Sequence, residues 1–232
     1  MKNIKLTLVA TLCGGLVLFA PRANAVPITY SSSDATADFT LGSGTLTLNL
    51  FCLIQNPTSA AQEVSGISFD ISGLVGSGSL ATVNSGNIST ISSGGSYTAG
   101  SADSLTRWTA THSLSTVTLT TFSGGAPNRL IIGPDSNGDF NPSSGGYNNA
   151  NPSITGIHQP SVLGSATFVF NIPGLTVGSQ INNVLFNFGT QMGESTETGT
   201  KINRQSVPDA GSTALLLGAV LSGLGMMVRR IK

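Results

Sequence analysis

Residues with chemical capacity are sparse in this chain, and the densest group is Asp135-Ser136-Asn137-Gly138-Asp139. Oxygen-bearing side chains at alternating positions are what a loop uses to wrap Ca²⁺, with carboxylates and carbonyls as ligands. An EF-hand needs glycine in its sixth place and an acid in its twelfth, and here those places hold Phe140 and Gly146. The competing reading of Asp135, Asn137 and Asp139 is an Asp/Asn/Gly turn whose side chains cap their own backbone. A second group pairs aromatics with amides: Trp108, and Tyr147 next to Asn148, Asn149 and Asn151. A ring beside amides can stack on a sugar while hydrogen-bonding its hydroxyls, so Trp108 and Tyr147 are candidate glycan contacts, with burial in a core as the alternative. His112 and His158 are the only histidines, and the body holds no G-x-S-x-G elbow. Serine is so abundant that a Ser-His-Asp set can be drawn in many ways, which makes any one drawing uninformative. The expectation is no catalytic residue and no cofactor beyond the weak Ca²⁺ site.

These side chains are carried by strands. In residues 45–50 (TLTLNL) three leucines fall on one face and three polar residues on the other. That period of two marks a half-buried strand. Residues 116–120, 165–172 and 183–188 repeat it, the last two with Phe168, Phe170, Phe186 and Phe188 aligned. Further strands are expected within residues 37–41, 64–71, 80–83, 87–91, 105–110 and 129–132, separated by turns such as Asn56-Pro57, Gly124-Gly125 and Pro173-Gly174. About ten short strands at such spacing predict an all-β antiparallel sandwich, jelly-roll or immunoglobulin-like. Residues 75–104, rich in Ser, Gly and Thr, read as thin edge strands or loop, and residues 133–160 as a long loop.

Both ends differ from this body. Lys2 and Lys5, an apolar stretch over residues 6–20 and Ala23-Asn24-Ala25 describe a signal peptide cut after Ala25. Its removal takes Cys13 away and leaves Cys52 alone, so no intrachain disulfide can form, and Cys52 reads as a small buried hydrophobe. Between residues 26 and 206 nine carboxylates face only four cations, Arg107, Arg129, Lys201 and Arg204. So few and scattered positive charges argue against nucleic acid as a partner. At the other end the apolar residues 214–228, about 23 Å of helix against a hydrocarbon core of about 30 Å, are followed by Arg229, Arg230 and Lys232. Snorkelling at the flanks completes a single transmembrane helix, and the basic cluster stays cytoplasmic, leaving the body outside the inner membrane.

The tail Val207-Pro208-Asp209-Ala210-Gly211, with the apolar run and Arg229-Arg230 after it, resembles the PEP-CTERM class of bacterial tripartite sorting signals in its Val-Pro-Asp variant. The resemblance implies recognition by an exosortase-type transpeptidase, with Val207, Pro208, Asp209 and Gly211 as the sorting motif and Arg229 and Arg230 as the basic tail. It also implies delivery to the cell surface or extracellular polymer. Asp34-Ala35-Thr36-Ala37, Asn56-Pro57-Thr58-Ser59 and Phe186-Asn187-Phe188-Gly189-Thr190 are similar in flavour to the Ser/Thr/Gly-rich β domains that precede such tails. The expected organisation is a signal peptide (1–25), an exported β domain (26–206) and a sorting signal (207–232). Expected partners are the general secretion machinery with signal peptidase, the exosortase, the inner membrane transiently, and an extracellular polysaccharide. The expected role is a non-enzymatic surface or matrix protein, structural or adhesive. A carbohydrate-binding module is the alternative, and a secreted hydrolase with an unrecognised site comes third.

Overall fold

Alternating sequence becomes strand wherever one face finds a core. The computed structural model describes residues 27–203. The expected signal peptide with Ala23 and Ala25, and the tail with Val207, Pro208, Asp209, Gly211, Arg229 and Arg230, lie outside the described residues. The strands are β1 (Ile28–Ser31), β2 (Ala35–Leu41), β3 (Thr45–Cys52), β4 (Val64–Ile71), β5 (Ser77–Leu80), β6 (Thr82–Ser89), β7 (Ser101–Asp103), β8 (Thr109–Ser113), β9 (Thr116–Thr120), β10 (Ile131–Ile132), β11 (Ser161–Asn171), β12 (Ile181–Phe188), β13 (Ser195–Thr198) and β14 (Thr200–Ile202). Helix among the described residues amounts to a 3-10 turn, Ala60–Gln62, and α1 (Pro152–Thr155). None is long and apolar enough to cross a membrane.

The protein is all-β, and its strands form one continuous mixed network in place of two unlinked antiparallel sheets. One path runs β14-β1-β2-β3-β11-β10-β4-β9-β8-β5, with β6 added to β11, β7 to β6, β12 to β4 and β13 to β12. The link is β10: Ile131 and Ile132 pair in parallel with Val162 and Leu163 of β11, and Ile131 also pairs antiparallel with Val64 of β4. Everything else is antiparallel.

Strands distant along this path meet through side chains. Phe39 of β2 contacts Phe69 of β4 edge to face at 4.9 Å between centroids, and Phe69 contacts Phe170 of β11 at 6.1 Å. The Tyr30 hydroxyl on β1 donates to the Ile181 carbonyl on β12. The network therefore folds over on itself, and the rows expected from sequence, Leu46/Leu48/Leu50, Phe168/Phe170 and Val184/Phe186, lie in one core. Each such aromatic pair adds about 0.5–1.5 kcal/mol beyond the area it buries.

Where alternation is interrupted, backbone geometry explains it. Gly164 sits inside β11 at φ +73°, within the register shift between Val162 and Ala166, and a Cβ there would lie 2.7 Å from the Phe140 ring. Only glycine combines that φ with that approach. Of residues 105–110, expected as strand, Thr109 and Ala110 begin β8 while residues 105–108 turn before it: the Asp103 carboxylate accepts from the Leu105 amide at 2.6 Å, and Leu105 takes φ +47°.

Candidate functional site

The long loop between β10 and β11 holds the densest polar network. Asp135 is fully buried. Its Oδ1 accepts from the Asn137 amide at 2.8 Å and its Oδ2 from the Tyr97 hydroxyl at 3.0 Å. Asp139 Oδ1 accepts from the Asn141 amide at 2.9 Å, and both its oxygens take the Ser144 hydroxyl at 3.3–3.4 Å. Asn137 Nδ2 donates to the Ser144 carbonyl. All three side chains of the candidate Ca²⁺ loop are thus turned toward protein donors and acceptors, those of the loop itself in the geometry of stacked Asx turns and, for Asp135 Oδ2, the Tyr97 hydroxyl. Gly145 completes the packing, because a Cβ there would stand 2.4 Å from an Asp135 carboxylate oxygen. Among the described residues, no three His, Cys, Asp or Glu side chains are grouped to hold a metal ion.

Tyr97 and Tyr147 anchor this loop to a second apolar cluster with Ile91, Ile132 and Ile154. Their rings lie 5.2 Å apart, and the Tyr147 hydroxyl donates to the Gly133 carbonyl at 2.9 Å. Burial pushes both phenols above their ordinary range, and the Asp135 carboxylate pushes Tyr97 the same way. Trp108 belongs to the main core, packed 5.0 Å from Phe168, with its indole N–H donating to the Arg129 carbonyl at 2.8 Å. The two candidate glycan aromatics therefore sit in separate clusters, Tyr147 fully buried and Trp108 only 2% exposed. Neither offers a free ring face for stacking.

Beside Trp108 runs an open groove of about 410 Å³, walled by Thr82, Val83, Asn84, Ser104 and Thr106. Asn84 Nδ2 donates to the carbonyls of Leu105 (3.3 Å) and Trp108 (3.1 Å), while its buried Oδ1 has no hydrogen-bond partner. Arg129, whose carbonyl receives the Trp108 indole, grips Asp103 in a two-point pair, Nε to Oδ1 at 2.9 Å and Nη2 to Oδ2 at 3.1 Å. The guanidinium holds the Asp103 carboxyl below its usual range.

Glu63 is fully buried, with the Ser161 hydroxyl 3.4 Å from Oε2 and no hydrogen-bond partner on Oε1. Burial raises its carboxyl well above the ordinary value. Cys52, a free and buried thiol, is pushed up to about 12 by burial first and by Glu63 among lesser causes. A thiol so protonated is a poor nucleophile. His158 is held through Nδ1 by the Pro127 carbonyl at 2.7 Å, and His112 lies inside β8 with a buried, unpartnered Nδ1. Neither histidine meets a serine hydroxyl or a carboxylate in any hydrogen bond among the described residues.

Sequence reasoning did not single out Glu63, Asn84 or the Asp103–Arg129 pair. For Asn84 a signal existed: in T-V-N-S either Val83 or Asn84 must face inward, and alternation alone favours valine. For Glu63, followed directly by the strand residues 64–71, nothing local announces burial.

Residues 206–232 match a family model described as the VPDSG-CTERM motif. The chain thus carries a PEP-CTERM-type sorting tail of the Val-Pro-Asp variant, which supports export, surface or extracellular placement, and an exosortase-type processing partner. No curated protein and no solved structure matches the chain.

Proposed function

We propose that the chain is a non-enzymatic structural or adhesive component of the cell surface or extracellular matrix. Residues 1–25 direct secretion, residues 26–206 form the exported domain, and residues 207–232 sort it. The β network reads as a sandwich, jelly-roll or immunoglobulin-like, whose layers are joined at β10. In the tail, Pro208 and Asp209 mark the recognition hinge, residues 214–228 hold the inner membrane, and Arg229 and Arg230 keep the end cytoplasmic.

The observation that carries this reading is the sorting motif at residues 206–232. It is supported by the employment of the chemically capable side chains inside the body, where Asp135, Asp139, Asp103, Trp108 and Tyr147 bind neighbouring backbone or side chains. Mass spectrometry of protein recovered from membrane and from medium tests it. The released form is expected to lack the segment after about Val207; a released form that keeps Lys232 refutes sorting by cleavage.

One observation favours carbohydrate binding as a second reading. The groove beside Trp108 offers the hydroxyl-bearing Thr82, Ser104 and Thr106 and the exposed Val83, a mixed polar and apolar lining suited to a sugar edge. Titration with extracellular polysaccharide, followed by Trp108 fluorescence, is expected to shift the emission. An unchanged spectrum with every envelope or extracellular glycan removes this reading.

A further inference from the structure

Four connections meet at one end of the β network: residues 42–44, 72–76, 114–115 and 173–180. Gly44 N–H donates to the Leu175 carbonyl at 2.9 Å, Ser72 and Gln180 exchange bonds at 2.8 and 3.0 Å, and the Leu114 amide donates to the Gly76 carbonyl at 2.5 Å. A cleft lined by Gly73, Leu74, Pro173 and Gly174 separates two of them. These connections contain no Asp, Glu, Lys, Arg or His. Their tips are apolar: Val75 is 78% exposed, Val177 72% and Leu114 71%.

The opposite end differs. Its connections carry Asp34, Glu63, Arg129, Asp135, Asp139 and Glu194, and its exposed Leu53 and Met192 have Asp34 and Glu194 as close neighbours. At the uncharged end the nearest carboxylate is Asp70, which takes the Thr116 hydroxyl at 2.5 Å and the Asn183 amide at 2.7 Å. Asp38 of β2 takes the Thr29 hydroxyl at 2.5 Å.

The chain leaves toward that same end. In β14, Thr200 pairs with Ser31 and Ile202 with Thr29, while Ser31 and Thr29 pair with Thr36 and Asp38 of β2. Going from Thr200 to Ile202 therefore runs parallel to the path from Thr36 to Leu41, whose loop at residues 42–44 belongs to the uncharged end. Ile202, the penultimate described residue, is itself 45% exposed. The sorting motif begins at residue 206, and the apolar run at residue 214.

We propose that this end, with Val75, Leu114 and Val177 as its tips, is a lipid-contacting face that rests on the outer surface of the inner membrane while residues 214–228 anchor the chain. The inference rests on the reading of the tail as a membrane anchor. A patch without charge avoids the desolvation that carboxylates incur near hydrocarbon. Small apolar tips suit the headgroup and acyl boundary, where such surfaces enter about 5–10 Å.

The test uses the full chain inserted into vesicles of phosphatidylcholine and phosphatidylglycerol with brominated acyl chains, in three variants: V75W, V177W and, at the exposed Ile157 of the long loop, I157W. Native Trp108, buried, supplies the same background to all three. Flotation of the vesicles reports anchoring by the tail independently of the tips. Bromine is expected to quench the V75W and V177W indoles at least about twofold more than that of I157W, given the depth over which interfacial apolar groups enter. Equal quenching of all three in chains that float, including none, overturns the lipid face and leaves the sorting reading standing. Chains that do not float overturn the anchor and the lipid face together. Emission losses that follow protein concentration instead of bromine assign the patch to a second copy of the chain and also overturn the proposal.

Discussion

Glu63 gives the sharpest prediction because its environment is so one-sided. The carboxyl is fully buried, Ser161 Oγ is its one hydrogen-bond partner at 3.4 Å, and Cys52 and Tyr147 are the titratable groups whose charges interact with it. No cation stands among them, so the neutral acid is the form the fold accepts. Its folded value is raised above the ordinary 4.5. The stability it allows is thus complete below 4.5 and is lost as pH rises toward the folded value, where the unfolded chain releases the proton first. Each pH unit in that window removes about 1.4 kcal/mol.

Glu63→Gln tests the reasoning through slope. The carboxamide brings a second N–H donor into a site with few acceptors, an offset of about 1–3 kcal/mol that does not vary with pH. Wild type and E63Q are unfolded in urea at half-unit steps between pH 4.5 and 8. Other titrating groups, Asp34 among them, act equally on both proteins and cancel in the difference. The wild-type curve is expected to fall away from the E63Q curve by the stated amount per unit, until the folded carboxyl ionises and the two run parallel. Curves parallel from the first point would show Glu63 ionised in the fold and refute the assignment.

Three further outcomes follow from the same contacts. Trp108→Ala removes the indole from the main core and orphans the Arg129 carbonyl, and is expected to lower unfolding free energy by about 3–5 kcal/mol in urea melts. Asp103→Asn weakens the two-point grip on Arg129 in a partly exposed setting and is expected to cost about 1 kcal/mol at neutral pH. Because the Asp103 carboxyl is held low, its contribution is present above 3.8 and is lost as pH falls through the lowered value, so D103N should flatten the acid limb of the stability curve. Adding Ca²⁺ or a chelator is expected to leave the thermal midpoint unchanged, since Asp135 and Asp139 are already engaged by Asn137, Tyr97, Asn141 and Ser144; a Ca²⁺-dependent rise in calorimetry would contradict that.

The legible part of the fold was the part where burial and period coincide. Leu46, Leu48 and Leu50 need only one core-facing side, and β3 follows directly. The same logic located β4, β9, β11 and β12. It failed where the strand has no core face to announce it: β13 and β14 are short, largely exposed and held by ladder bonds to β12 and β1. It divided β6 between residues 80–83 and 87–91, because the strand carries no apolar row: Val83 points outward at 74% exposure while the Asn84 side-chain amide bridges Leu105 and Trp108. The strand expected at residues 129–132 contains β10, but its role as the join was not legible, since the parallel pairing with β11 and antiparallel pairing with β4 are long-range.

The candidate site divides along the same line. Asx turns are local, so the self-capping of Asp135 and Asp139 could be weighed from five residues. The burial of Asp135 could not, because it depends on Tyr97, thirty-eight positions earlier. The uncharged end illustrates the general case. Gly42 to Gly44, Ser72 to Gly76 and Pro173 to Gln180 each look like ordinary polar or glycine-rich turns when taken singly. Their shared lack of charge acquires meaning only when register sets them side by side and β14 directs the chain toward them. Charge left out of several loops at once is a property of an assembled surface, so it can be selected in a fold while remaining invisible in any one of its segments.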